Sequence, residues 1–280
     1  MRAALFAVAV LAAAPAAAQG PIAIEGPAVQ GGLVRGRAPQ GIASLSLGDQ
    51  PVAVAPDGRF LLGFDRDQAA AATLTARFAE GRVVTQPIAV APRSWRIERI
   101  AIAQRPPAIP DEAYRLRRER ELARIREARA QRSDVMGWSQ RFVWPSIGRI
   151  SGLFGSQRIY RGVPAAYHSG VDVAGGAGAP VVAPADGVVV LAGPPAFSLE
   201  GNLVILDHGM GLNSAFLHLA STAVAVGQRV RQGERIGTIG ATGRATGPHL
   251  HWSMMWNGSR LDPQLAAGPM TARPAAVPPR

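Results

Sequence analysis

The sequence predicts a mainly β chain: a small N-terminal β-sandwich and a larger antiparallel β-sheet domain, joined by one charged helix. Three observations carry this. Short β-type runs cut by turn residues recur between residues 20 and 93. Valine- and isoleucine-rich runs separated by glycine turns recur from 144 to 266, with no 3.6-residue period. Between them, only DEAYRLRRERELARIREARAQRSD reads as a helix.

Residues 1–18 come first. Arg2, the apolar run Ala3 to Ala13 and the small residues Ala16, Ala17 and Ala18 form the pattern of a secretory signal cut after Ala18. The run is too short for a membrane span, which needs about 20 apolar residues, and no later segment is long and apolar enough.

Residues 19–93 hold the runs LVRGRA, ASLSLG, VAVAP, RFLLGF, ATLTARF and VVTQPIAV. Asp57-Gly58 between two of them is a hairpin signal. This spacing predicts a small sandwich. It contains no histidine, and its expected role is spacing, docking or binding.

Residues 94–143 read as a linker, with Pro106, Pro107 and Pro110 ahead of the helix. Asp111 and Glu112 suit the positive end of the helix dipole. Eight arginines between Arg115 and Arg132 stand against five acids from Asp111 to Glu127. No aromatic follows Tyr114 to stack on bases, so a solvated, charge-laced helix is favoured over a nucleic-acid arm. Residues 144–266 form the second β unit, and 267–280, with Pro269, Pro274, Pro278 and Pro279, read as a disordered tail.

Composition removes several chemistries. The 280 residues include no cysteine, which excludes disulfides, thiolate ligands, thiol catalysis and a lipid-bearing cysteine. All 30 basic residues are arginine, so lysine Schiff bases and lipoyl or biotinyl arms are excluded. The run VGQRVRQGERIG is similar to lipoyl-type barrels, but that chemistry has no amine here. A net charge of +11 favours an anionic partner. For an exported chain, a wall polymer or membrane surface is more accessible than nucleic acid.

All five histidines fall in the second β unit. His249-Leu250-His251 would place both imidazoles on one strand face, either as a metal site or as two partly buried strand-end residues. Upstream, His168-Ser-Gly170-Val-Asp172 places an imidazole and a carboxylate around a glycine that lets the backbone curve. His168, Asp172 and one histidine of the later pair make the three-donor set of a catalytic zinc with one open position. Zinc polarises a scissile carbonyl and acidifies water towards neutrality. The other member of the pair and His218 are then left for proton transfer and oxyanion stabilisation. His218, between Leu217 and Leu219, should alternate away from the core. His208, ahead of Gly209, reads as a structural turn histidine, with a fourth-ligand or outer role left open.

These residues in this order resemble the lysostaphin-type (LytM-like, glycyl-glycine endopeptidase) zinc metallopeptidases. The likeness covers about residues 146–266. It includes Gly178-Ala-Pro-Val181, Ala183-Pro-Ala-Asp-Gly187, Val226-Gly-Gln-Arg-Val230, Ala241-Thr-Gly-Arg244 and Leu261-Asp-Pro263. Phe216 stands where tyrosine is common and Ala179 where a small hydroxyl is usual. The resemblance implies an antiparallel sheet with the metal in a loop-edged groove. It implies His168, Asp172 and His251 as zinc ligands, and His218 and His249 as the catalytic imidazoles. It further implies hydrolysis of stem or cross-link peptides in peptidoglycan by an exported, most simply periplasmic, endopeptidase. The alternative is a non-enzymatic murein-binding regulator or amidase activator acting with a cell-wall protein partner; degenerate relatives of that kind have lost ligands, and none is lost here.

Overall fold

In a computed structural model, residues 22–103 and 111–271 are described. The signal-like segment, Pro106, Pro107 and Pro110, and most of the proline-rich tail lie outside them. The described chain is mostly β, as expected, and forms two β units.

In the first, Ala23–Glu25, Leu33–Arg37 and Arg59–Gly63 make one antiparallel sheet. Ala28–Val29, Val83–Ala91, Ala71–Phe78, Ile42–Leu47 and Gln50–Val52 make a second, in that spatial order. The chain turns at Asp57-Gly58, where Ala55 N–H donates to Arg59 O (2.8 Å) and Gly58 has φ of 83°. This unit is not a free spacer. A single buried apolar cluster takes in Phe60, Leu74 and Val90 on this side and Val173, Phe216, Leu250 and Trp256 on the other. Arg93 pairs with the buried Asp262 at 2.8 Å, and Arg35 donates to the Trp138 and Gln140 carbonyls.

The linker is more structured than its composition predicts. Ile97–Ile100 pairs in parallel with Gln157–Tyr160, which also pairs with Val163–Pro164. Four residues pairing on one neighbour leave too short a pattern to read beside prolines and arginines. The helix spans Glu112–Ala130, and the Asp111 carboxylate accepts from Tyr114 N–H at 2.7 Å. That cap contributes about 1 kcal/mol. The helix is not solvated all round. Ala128 and Ile125 pack on Leu203, Ile205, Ala215 and Phe197.

The second unit is a ten-stranded sheet. Its main path runs Arg149–Gly152, Val171–Ala174, Leu250–Trp256, Leu212–Thr222, Asn202–Asp207, Gly187–Leu191, Arg229–Val230, every pair antiparallel. A short helix, Pro263–Ala267, capped by Asp262, ends it; the sequence reading placed no helix there.

Candidate metal centre and groove

Register builds the site. Asp172 lies opposite His251 across the Val171–Ala174 and Leu250–Trp256 strands, and His251 lies opposite Leu217 on its other side. Leu250 is fully buried between the two histidines of its strand. Period-2 alternation therefore turns His249 and His251 to the groove, as HLH predicts.

His168 precedes its strand on an irregular segment. Its Nε2 lies 3.1 Å from Asp172 Oδ1 and 3.1 Å from His251 Nδ1, and His251 Nδ1 lies 2.9 Å from Asp172 Oδ1. A tetrahedral ion with ligand bonds of 2.0–2.1 Å needs donors about 3.3 Å apart. The three atoms come close to that spacing, and among the described residues they are the one group of this kind. His168 Nδ1–H donates to Leu153 O (3.0 Å), which leaves Nε2 with the lone pair a metal requires. Glycine makes room at two points. A Cβ at Gly170 would meet His251 Nε2 at 2.7 Å, and one at Gly152 would meet Asp172 Oδ2 at 2.2 Å. Close approach, rather than chain curvature, is what position 170 requires.

Electrostatics agree with the donor set. Burial works against charge on Asp172, but hydrogen bonds from both imidazoles outweigh it and hold its pKa well below the carboxylate range. Burial likewise opposes a charged His168, yet Asp172 raises its pKa on balance. Burial lowers the pKa of His251 and of His218.

His218 and His249 stand beside the donors, with ring centroids 4.9 Å apart. His249 Nε2 is 3.9 Å from Asp172 Oδ1. Each donates its Nδ1–H to a backbone carbonyl, His218 to Thr242 O and His249 to Gly247 O, both at 2.8 Å. A carbonyl only accepts, so both neutral rings carry their lone pair on Nε2.

Simple alternation did not anticipate how His218 gets there. Residues Leu212 to Leu217 pair with Leu250–Trp256, whereas Leu219 to Thr222 pair with Arg235–Ile239. His218 sits at the change of partner with φ of 63°. This left-handed bulge turns Leu217 and His218 to the same groove, while Phe216 and Leu219 are fully buried.

His208 is apart from the site. It is fully buried, hydrogen-bonded to Asp186 O (2.8 Å) and Ser214 Oγ (2.9 Å) and edge-on to Phe142, and burial pushes its pKa down to about 4.

No sequence pattern pointed to Arg66, which reaches from the N-terminal unit to Tyr167 beside His168. It is buried, with its guanidinium 4.7 Å from the Tyr167 ring and 5.3 Å from the Trp95 ring. Its Nε donates to Gly155 O (3.1 Å), and Gly155 N–H donates to His168 O (2.8 Å).

The groove above the five side chains encloses about 880 Å³, edged by Arg96, Arg158, Tyr160, Arg244 and Thr246. The sequence pattern of Peptidase family M23 matches residues 166–263, which hold all five. The fold is similar to a crystal structure of an M23-type protein from Pseudomonas aeruginosa, with a TM-score of 0.64 and 30% identity. That likeness covers 85% of this chain and 95% of the other, so it extends well beyond the matched segment. The chain belongs to peptidase family M23. The chain is also 38% identical over 134 residues to peptidoglycan DD-endopeptidase ShyA of Vibrio cholerae, across 48% of this chain and 31% of that protein. It is 41% identical over 125 residues to DD-carboxypeptidase/endopeptidase Mpg of Neisseria meningitidis, across 43% and 27%. The chain thus spans less than a third of the length of these curated relatives.

Proposed function

We propose that this chain is an exported zinc endopeptidase that hydrolyses peptide bonds in peptidoglycan, in stem or cross-link peptides. The observation that carries the reading is the convergence of His168 Nε2, Asp172 Oδ1 and His251 Nδ1 beside two imidazoles of fixed tautomer. Two nitrogens and one carboxylate oxygen, without cysteine, form a donor set for a zinc ion that keeps an open position. Such an ion would polarise the scissile carbonyl and acidify the attacking water. The chain's own share is proton handling and orientation. The Nε2 of His218 or His249 takes the proton as water attacks, and the imidazolium so formed returns it to the leaving amine. The other imidazole, when protonated, steadies charge developing on the carbonyl oxygen, its Nε2–H donating while Nδ1–H stays on its backbone carbonyl. The named relatives support peptidoglycan as the substrate, and the signal-like residues 1–18 support export. Among the described residues, no helix is long and apolar enough to cross a membrane.

Mass spectrometry of fragments released from cross-linked peptidoglycan, by the zinc-loaded chain and by His168→Ala, tests this. New monomers from dimers, absent with the variant, are expected and would name the bond. An unchanged digest by a zinc-loaded wild type would overturn the reading in favour of a regulator. With a charge of +11, wall binding should weaken as salt rises.

A further inference from the structure

A second cavity, of about 540 Å³, lies between the Glu112–Ala130 helix and the outer face of the sheet. It shares Ser169, Glu200, Leu217 and His251 with the walls of the metal groove, so the two adjoin. Its charge is one-sided. Arg118, Arg126, Arg129, Arg132 and Arg260 line it against one carboxylate, Glu200. Glu200 is already engaged by both terminal nitrogens of Arg118, at 2.6 and 2.7 Å.

Arg129 is the informative residue. Its Nε is fully buried and has no hydrogen-bond partner in the protein, and its Nη1 meets the weak acceptor Met255 Sδ at 2.9 Å. The Asn213 side-chain oxygen, on the same cavity wall, is also buried without a partner. An amide can present either its oxygen or its NH₂ to a ligand. Burial and the neighbouring Arg260 push the Arg129 pKa down to about 10. Arg118 already occupies Glu200, the one carboxylate in the lining, and a planar carboxylate is the ligand the Arg129 fork matches. A cation at the C-terminal end of a helix can serve the helix dipole alone. That role needs no cavity lined by five arginines against one carboxylate.

We propose that this cavity is a subsite for a carboxylate of the peptide substrate, recognised by Arg129 beside the scissile bond. The proposal rests on the peptidase reading above. It makes Arg129 a specificity residue: it binds an acidic group next to the bond and does not touch the reacting atoms.

The test compares a fluorescent cross-linked stem peptide in its free-acid form with the same peptide amidated at its carboxylates. Binding by anisotropy and cleavage by chromatography are measured for the full zinc-loaded chain, Arg129→Gln and Arg129→Lys, with melting curves for each. The wild type should bind the acid at least about tenfold more tightly than the amide, the effect of one good charged contact. Arg129→Gln should bring the two within about twofold by raising KM for the acid, and Arg129→Lys should lie between. A wild type that binds both forms equally would overturn the proposal. So would an Arg129→Gln that melts normally and keeps the preference. If Arg129→Gln does not fold, Arg260→Gln takes its place: a reduced preference supports the cationic cavity, and an unchanged one counts against it. Selective acid binding without cleavage would sink the peptidase reading and leave the subsite. Equal cleavage of both forms would do the reverse.

Discussion

The donors of the candidate metal centre are held in two different ways. Asp172 and His251 face each other across adjacent strands, so sheet register alone sets their separation. His168 lies on an irregular segment held from outside the M23-matched segment: Arg66 lies over the Tyr167 ring and bonds the carbonyl of Gly155, whose N–H donates to His168 O. The difference teaches that the β-sheet supplies a half-site and that residues outside the matched segment complete it.

Four substitutions break or sharpen this contrast. Asp172→Ala removes the shared oxygen of the donor set. It should abolish zinc retention and lower hydrolysis by at least about 10³-fold, read by metal analysis and product release. His218→Ala should lower kcat by about 10²–10⁴-fold while zinc content stays at one per chain, because the bulge carries proton chemistry rather than a ligand. Retention of full activity would remove His218 from the proposed mechanism.

His208 supplies a test on the register-held side, away from the metal. Its folded pKa of about 4 lies below the ordinary 6.5, so the unfolded chain binds a proton that the native chain refuses. Stability from this residue is therefore complete above pH 6.5 and lost as pH falls from 6.5 to about 4, amounting to about 3 kcal/mol. Denaturant titrations across that window should show a flatter slope for His208→Asn than for wild type.

Arg66→Ala probes the other side, with the smallest effect. It leaves the Gly155 carbonyl without its donor and loosens Tyr167, and zinc affinity should fall by about tenfold with the strands intact. Zinc competition measures this. An unchanged affinity would show that the M23 domain holds His168 by itself.

Much of the centre was legible in the chain. HLH and HxGxD are short-range patterns, and strand alternation converts the first directly into directions. The bulge at His218 was not legible, because flanking leucines predict ordinary alternation and the change of strand partner is a long-range event. The Ile97–Ile100 strand was hidden for the same reason: its partner lies some sixty residues away. Arg66, Arg129 and Glu121 escaped notice because charged residues read as surface. Yet Glu121 is buried on the packed face of the helix, where hydrogen bonds from Ser198, Arg117 and Arg118 outweigh burial and hold its pKa at about 2.

The register that opposes Asp172 to His251 also limits how such a chain can diversify. A one-residue insertion or deletion within Leu250–Trp256 ahead of His251 would exchange the face of every side chain it shifts, putting leucine where an imidazole is needed. Lineages can therefore alter the length of the chain at the rim, around Arg244 to Thr246, far more freely than inside the strands. Substrate preference can drift while the reaction centre is inherited whole.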